Sequence, residues 1–206
     1  GTFVSNCMSN KVKIDSSSLE DSISTAVGVQ AAEQIKQTAD ETRIGIALAG
    51  GIAMHVYGFT RATTDVDMLA ESVLPLTSIK ELSFGGETYT VTVDGRNISV
   101  DVIVRDDELA AIYQKALEQA METERGLKII SPEWLVVMKF LSALAKDKID
   151  LLWLLQQDKL VDRSKIERNL IEAVGSQTAY FIFNDLKSEF SYADFLLVRE
   201  KDKYGE

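Results

Sequence analysis

The chain has a single cysteine, Cys7, among its 206 residues. An intrachain disulfide is therefore excluded, and a cytoplasmic, reducing setting is the expectation. Histidine is equally scarce, with His55 alone. One imidazole and one thiol cannot build a zinc site, and a hydroxyl-nucleophile triad would have only His55 as its base. Cys7 has no basic neighbour in sequence to activate it as a nucleophile. Positive charge is in deficit, with 22 Lys and Arg against 32 Asp and Glu and a net charge of -10. A broad nucleic-acid surface is not expected, because affinity for phosphate backbones comes from cations that neutralise them. No apolar run approaches the roughly 20 residues of a membrane span. The first ten residues, GTFVSNCMSN, have neither a basic leader nor a long apolar core, so no membrane partner is expected. Internal repeats and low-complexity blocks are missing too.

What is present begins with an apolar content of 46%, enough for a sizeable core without a staple. The most informative stretch runs from Ala49 to Ala70, AGGIAMHVYGFTRATTDVDMLA. Ile44 to Ala49 reads as a buried strand and Ile52 to Tyr57 as a short helix, with Gly50 and Gly51 between them. Glycine amides at a helix start can approach a phosphate closely. Asp65 and Asp67 are one residue apart, so on a strand they face the same way while Val66 faces the core. Such a pair is a clamp for a hard divalent cation.

A third carboxylate follows on a hairpin. Thr88 to Val93 and Arg96 to Val104 alternate in polarity and are joined by Asp94-Gly95, a strong hairpin signal. Asp101 lies in the second strand, within SVDVIV, which reads as buried on both sides. A lone carboxylate there is costly unless paired or metal-bound. Three converging carboxylates would bind two Mg²⁺ ions, or Mn²⁺ in their place, rather than repel one another. A phosphate cradle beside a metal clamp is the equipment of phosphoryl or nucleotidyl transfer.

A glycine pair, a short helix, T-D-V-D and a single Asp on a later strand together resemble the minimal nucleotidyltransferases of the DNA polymerase β superfamily. The segments AGGIAMHVYGFTRATTDVD and PEWLVVMKFLSALAKDKIDLLWLL look more narrowly like the bacterial abortive-infection nucleotidyltransferase toxins, across roughly residues 44 to 158. The resemblance implies that Gly50 and Gly51 hold the triphosphate of an NTP such as ATP, and that Asp65, Asp67 and Asp101 form the catalytic metal site. It implies transfer of a nucleoside monophosphate to a hydroxyl on an RNA end, a protein or a small molecule. A toxin role would add a cognate antitoxin. The family's third motif falls on Lys139, Leu144, Lys146 and Asp147, with Leu144 where an Arg is expected. That departure keeps open a degenerate module that binds nucleotide or a partner without turnover. A metal-dependent phosphohydrolase is the other alternative.

The remaining polar residues carry competing readings. Arg61 either pairs with Asp65 or Asp67 or reaches a phosphate. Lys139 and Lys146 are seven apart, two turns on one face of a straight helix, and either grip the triphosphate or are solvated. Asp147 and Asp150 read as a structural cap pair for the next helix. His55 reads as a packed helix residue, and Trp134 and Trp153 as core anchors.

The expected fold is α/β (α+β): a mixed-sheet nucleotidyltransferase core with flanking helices, then a C-terminal helical bundle. The expected partition is a disordered tail at 1-10, a core at 11-124 and a helical region at 125-206. Leu19 to Ala39 has helical periodicity weakened by Gly28, Ser78 to Phe84 reads as a strand, and Asp106 to Met121 as a helix with an acidic first turn. Ser131-Pro132-Glu133 marks another helix start, with Trp134, Val137, Met138, Leu141 and Leu144 on its core face.

Overall fold

The computed structural model describes Val12, residues 21–142 and residues 144–205. The tail at 1-10, with Cys7, and the helical position Leu19 lie outside the described residues. The fold is α/β. Its elements are α1 (Thr25–Glu41), β1 (Ile46–Ala49), α2 (Gly50–Tyr57), β2 (Val66–Ala70), β3 (Lys80–Glu81), β4 (Gly86–Val93), β5 (Arg96–Ile103), α3 (Ala110–Glu118), β6 (Met121–Glu122), β7 (Lys128–Ile129), α4 (Pro132–Leu141), α5 (Ala145–Leu155) and α6 (Arg163–Tyr204). The backbone of α6 breaks at Gly175, whose φ is 80°. Among the described residues, no helix is long and apolar enough to cross a membrane.

One mixed sheet runs in the order β3-β4-β5-β2-β1-β7-β6. Its centre is set by pairings remote in sequence: β2 runs antiparallel to β1 and parallel to β5. The sheet also takes in Lys128–Ile129, because β7 pairs in parallel with β1. The β4–β5 hairpin closes through Asp94 and Gly95, both at positive φ (52° and 76°), as an Asp-Gly turn requires.

The strand β5 differs from expectation. It alternates, with Ile98, Val100 and Val102 buried and Ser99, Asp101 and Ile103 half-exposed. It is therefore buried on one side only, and its second face lines a cavity.

Helix α1 buries Gly28, Ala31, Ala32, Ile35 and Ala39, a spacing that lays one stripe on the core. Gly28 has a packing reason, since a Cβ there would stand 2.5 Å from Ile52 Cδ1 of α2. Helix α4 starts as expected: the Ser131 hydroxyl accepts from the Trp134 amide and Pro132 takes the first helical position.

Three expectations are corrected. Helix α3 has no acidic residue in its first turn. Asp107 stands ahead of it, accepting from the Leu109 amide (3.1 Å) and pairing with Arg105 (2.7 Å). Helix α4 ends at Leu141, and Ser142 is extended (φ -79°, ψ 140°). Its hydroxyl donates to Asp147 and accepts from the Leu144 amide, which holds the chain out of the helix. Lys139 and Lys146 therefore lie on different helices, and Leu144 is 58% exposed rather than part of a core face. Asp147 does not cap α5, because Leu144 occupies the N-cap position.

Candidate active site

The register of the sheet builds the site. Ala49 is opposite Asp67 on β1–β2, and Asp67 is beside Asp101 on β2–β5. Neighbouring strands are about 4.8 Å apart, so two carboxylates 34 residues apart in sequence become immediate neighbours. Gly50 directly follows Ala49 and meets them. It adopts φ +60°, and a Cβ on it would stand 2.0 Å from Asp67 Oδ2. A Cβ on Gly51 would stand 2.6 Å from Thr63 Oγ1. The glycine pair thus makes room for the Asp67 and Thr63 side chains, a demand separate from phosphate approach. The glycines themselves open α2, and Ala49 offers no side-chain cap to its first amides.

A cavity of about 810 Å³ is lined by Asp65, Asp67 and Asp101, by Gly50 and Gly51, and by Arg61, Lys139 and Lys146. The two lysines reach it from α4 and α5 across the break at Ser142. Leu144 lies on the wall as well.

The electrostatics are uneven. Burial, then the neighbouring Asp101 charge, push the Asp67 carboxyl up to about 6, against the opposing pull of Lys139 and Lys146. Asp101 accepts from the Thr88 hydroxyl at 2.6 Å, across the hairpin register. Asp65 is exposed, just ahead of β2, and accepts from Thr64 at 3.3 Å.

Two of the cations are committed elsewhere. Arg61 is held by neither Asp65 nor Asp67; it donates through Nε (2.5 Å) and Nη2 (2.6 Å) to the two oxygens of Asp150. Lys139 lies 2.8 Å from both Asp147 and Asp150. Asp150 is wholly buried. Burial alone would raise its pKa, but the Arg61 hydrogen bonds and the Lys139 charge hold it below the ordinary carboxylate value. Lys139 is desolvated too, and Asp150 and Asp147 keep it above the usual lysine value. Asp147 and Asp150 thus serve structure, as clamps on two cations. Lys146 is exposed on the cavity wall. His55 is packed, its ring nitrogens facing the Arg61 carbonyl (2.5 Å) and the Thr25 hydroxyl (3.1 Å).

The donors a hard divalent ion would meet here are three carboxylates lining one cavity, of which Asp67 is raised by burial first and by the Asp101 charge second. Among the described residues, no group of three or more His, Cys, Asp or Glu side chains is already assembled as a metal site. Ligation by Asp101 and Asp65 would exchange their bonds with Thr88 and Thr64.

Sequence reasoning missed Arg105, Phe84 and Tyr113, which also line the cavity. A signal existed for Arg105: it is four residues beyond Asp101, on the same alternate positions as Ile103.

No protein-family model matches the chain, and no curated protein does. Among solved structures the chain is similar to an antigenic nucleotidyltransferase-like protein from Paracoccidioides brasiliensis. The identity is 21%, over 81% of this chain and 91% of that one, with a TM-score of 0.41. The functional reading rests on the geometry of the site.

Proposed function

We propose that this chain is a metal-dependent nucleotidyltransferase that moves a nucleoside monophosphate from an NTP to an acceptor hydroxyl. The supporting observation is that one cavity of about 810 Å³ gathers three carboxylates, the glycine-built helix start and an exposed lysine. Asp65, Asp67 and Asp101 would hold Mg²⁺. When bound, the metal supplies charge neutralisation on the phosphates and a lowered pKa for the attacking hydroxyl.

The chain's own residues do the rest. The amides of Gly50 and Gly51 and the Lys146 ammonium bind the triphosphate. Asp101 takes the acceptor proton as the new O–P bond forms and pyrophosphate leaves. Lys139 and Arg61 act from behind, as fixed positive charge offsetting the carboxylates. The acceptor is an RNA end, a protein side chain or a small molecule.

A second reading is favoured by one feature: the commitment of Arg61 and Lys139 to Asp150, with Leu144 in the place of an arginine. On that reading the cavity binds nucleotide without turnover, and Mg²⁺-dependent pyrophosphate release would dismiss it.

The test of the site is thermal melting with each NTP, with and without Mg²⁺, on the native chain and on Asp65→Asn/Asp67→Asn. Ligand at about a hundred times Kd adds roughly 2.7 kcal/mol, or roughly 5–10 °C for a chain of this size. The native chain should gain this and the double variant little. Equal gains would overturn the proposal.

A further inference from the structure

Resting on that reading, we propose that Phe84, braced by Arg105 and Tyr113, is the stacking platform for the nucleobase of the NTP. The Arg105 guanidinium lies 4.9 Å from the Tyr113 ring centre and 5.4 Å from that of Phe84. Asp107 fixes it from the side through two bonds, 3.1 Å to Nε and 2.7 Å to Nη2. The arginine is 84% covered, since its side chain is only 16% exposed. A flat cation set against two rings and tied to a carboxylate makes the group rigid.

Phe84 is the exception in the group, 38% exposed while lining the cavity. An aromatic ring open to a cavity that is otherwise polar at its carboxylate end is surface that a planar ring can cover. Placement supports the same ligand. Asp101 and Ile103 are alternate residues of β5 and Arg105 follows two residues beyond its end, all three on the cavity lining, so Arg105 is at most roughly 14 Å along the chain from Asp101 at about 3.3–3.6 Å per residue. An extended nucleoside triphosphate bridges the carboxylates and such a platform, with its phosphates at one end and its base at the other. Stacking reads the face of a base rather than its edge, so the platform accepts all four bases and discriminates weakly among them.

The experiment compares calorimetric affinities of ATP, GTP, CTP, UTP and inorganic tripolyphosphate, each with Mg²⁺, for the native chain, Phe84→Ala, Phe84→Trp and Arg105→Lys. Melting temperatures without ligand check that the variants fold, which exposed Phe84 permits. Losing one aromatic platform costs roughly five- to 150-fold in affinity, and partial exposure puts Phe84 at the lower end. Phe84→Ala should weaken every NTP by about fivefold or more and leave tripolyphosphate unchanged. Phe84→Trp should retain NTP affinity, and Arg105→Lys should weaken NTPs more than tripolyphosphate. Equal effects on NTPs and tripolyphosphate, or no effect on either, would overturn the platform while leaving the phosphate site standing. Failure of the native chain to bind any of the five would overturn both.

Discussion

Replacing Asp67 by Asn should make the metal-free protein more stable at neutral pH. Burial and the Asp101 charge raise the Asp67 carboxyl from 3.8 to about 6. The native state therefore binds a proton more tightly than the unfolded chain does, and this group's contribution to stability falls as pH rises from about 4 to about 6. At about 1.36 kcal/mol per pH unit the full penalty above pH 6 is at most about 3 kcal/mol. Asp67 is half-buried rather than sealed, and solvent screening brings the expected figure to about 1–2 kcal/mol. Asn keeps the shape beside Gly50 and removes the charge. In buffer with a chelator, Asp67→Asn should melt a few degrees above the native chain at pH 7.5, with the gap closing as pH falls toward 4. Mg²⁺ should then stabilise the native chain and leave the variant unmoved. A variant that melts below the native chain at pH 7.5, or a gap independent of pH, would refute the electrostatic reasoning.

Other outcomes follow from the same geometry. Asp150→Ala leaves the half-buried Arg61 without its carboxylate and Lys139 with Asp147 alone, and should cost about 3 kcal/mol in urea unfolding. Gly50→Ala places a Cβ 2.0 Å from Asp67 Oδ2 at a φ of +60°. It should lose at least about 1–2 kcal/mol of stability from the backbone alone, together with NTP-dependent stabilisation. Leu144→Arg adds a cation at an exposed cavity position. It should tighten NTP binding severalfold by calorimetry, about 1 kcal/mol, with the ligand-free melting temperature unchanged.

Local signals carry the elements around the candidate site. The Asp94-Gly95 turn, the glycine-opened helix and the Ser131 cap are each written in a few adjacent residues, and each is where the sequence suggests. Non-local chemistry was less legible. The adjacency of Asp67 and Asp101 depends on a parallel pairing that no short window encodes. Arg61 and Asp150, 89 residues apart, find each other only once α5 docks on the core. The break after Leu141 was hidden because apolar spacing continues through Leu144, while the cause is the Ser142 hydroxyl serving Asp147 and the Leu144 amide. Composition does not show that β5 is buried on one side only, because Ile103 is apolar yet lines the cavity.

The most direct test of the shared carboxylate and glycine site is a crystal structure with Mn²⁺ and a non-hydrolysable NTP, using the anomalous signal of the metal. The account predicts Mn²⁺ within about 2.2 Å of oxygens from Asp67 and Asp101, with the triphosphate against the Gly50 and Gly51 amides. A nucleotide bound away from those glycines, or metal density with no Asp67 oxygen in its coordination shell, would contradict it.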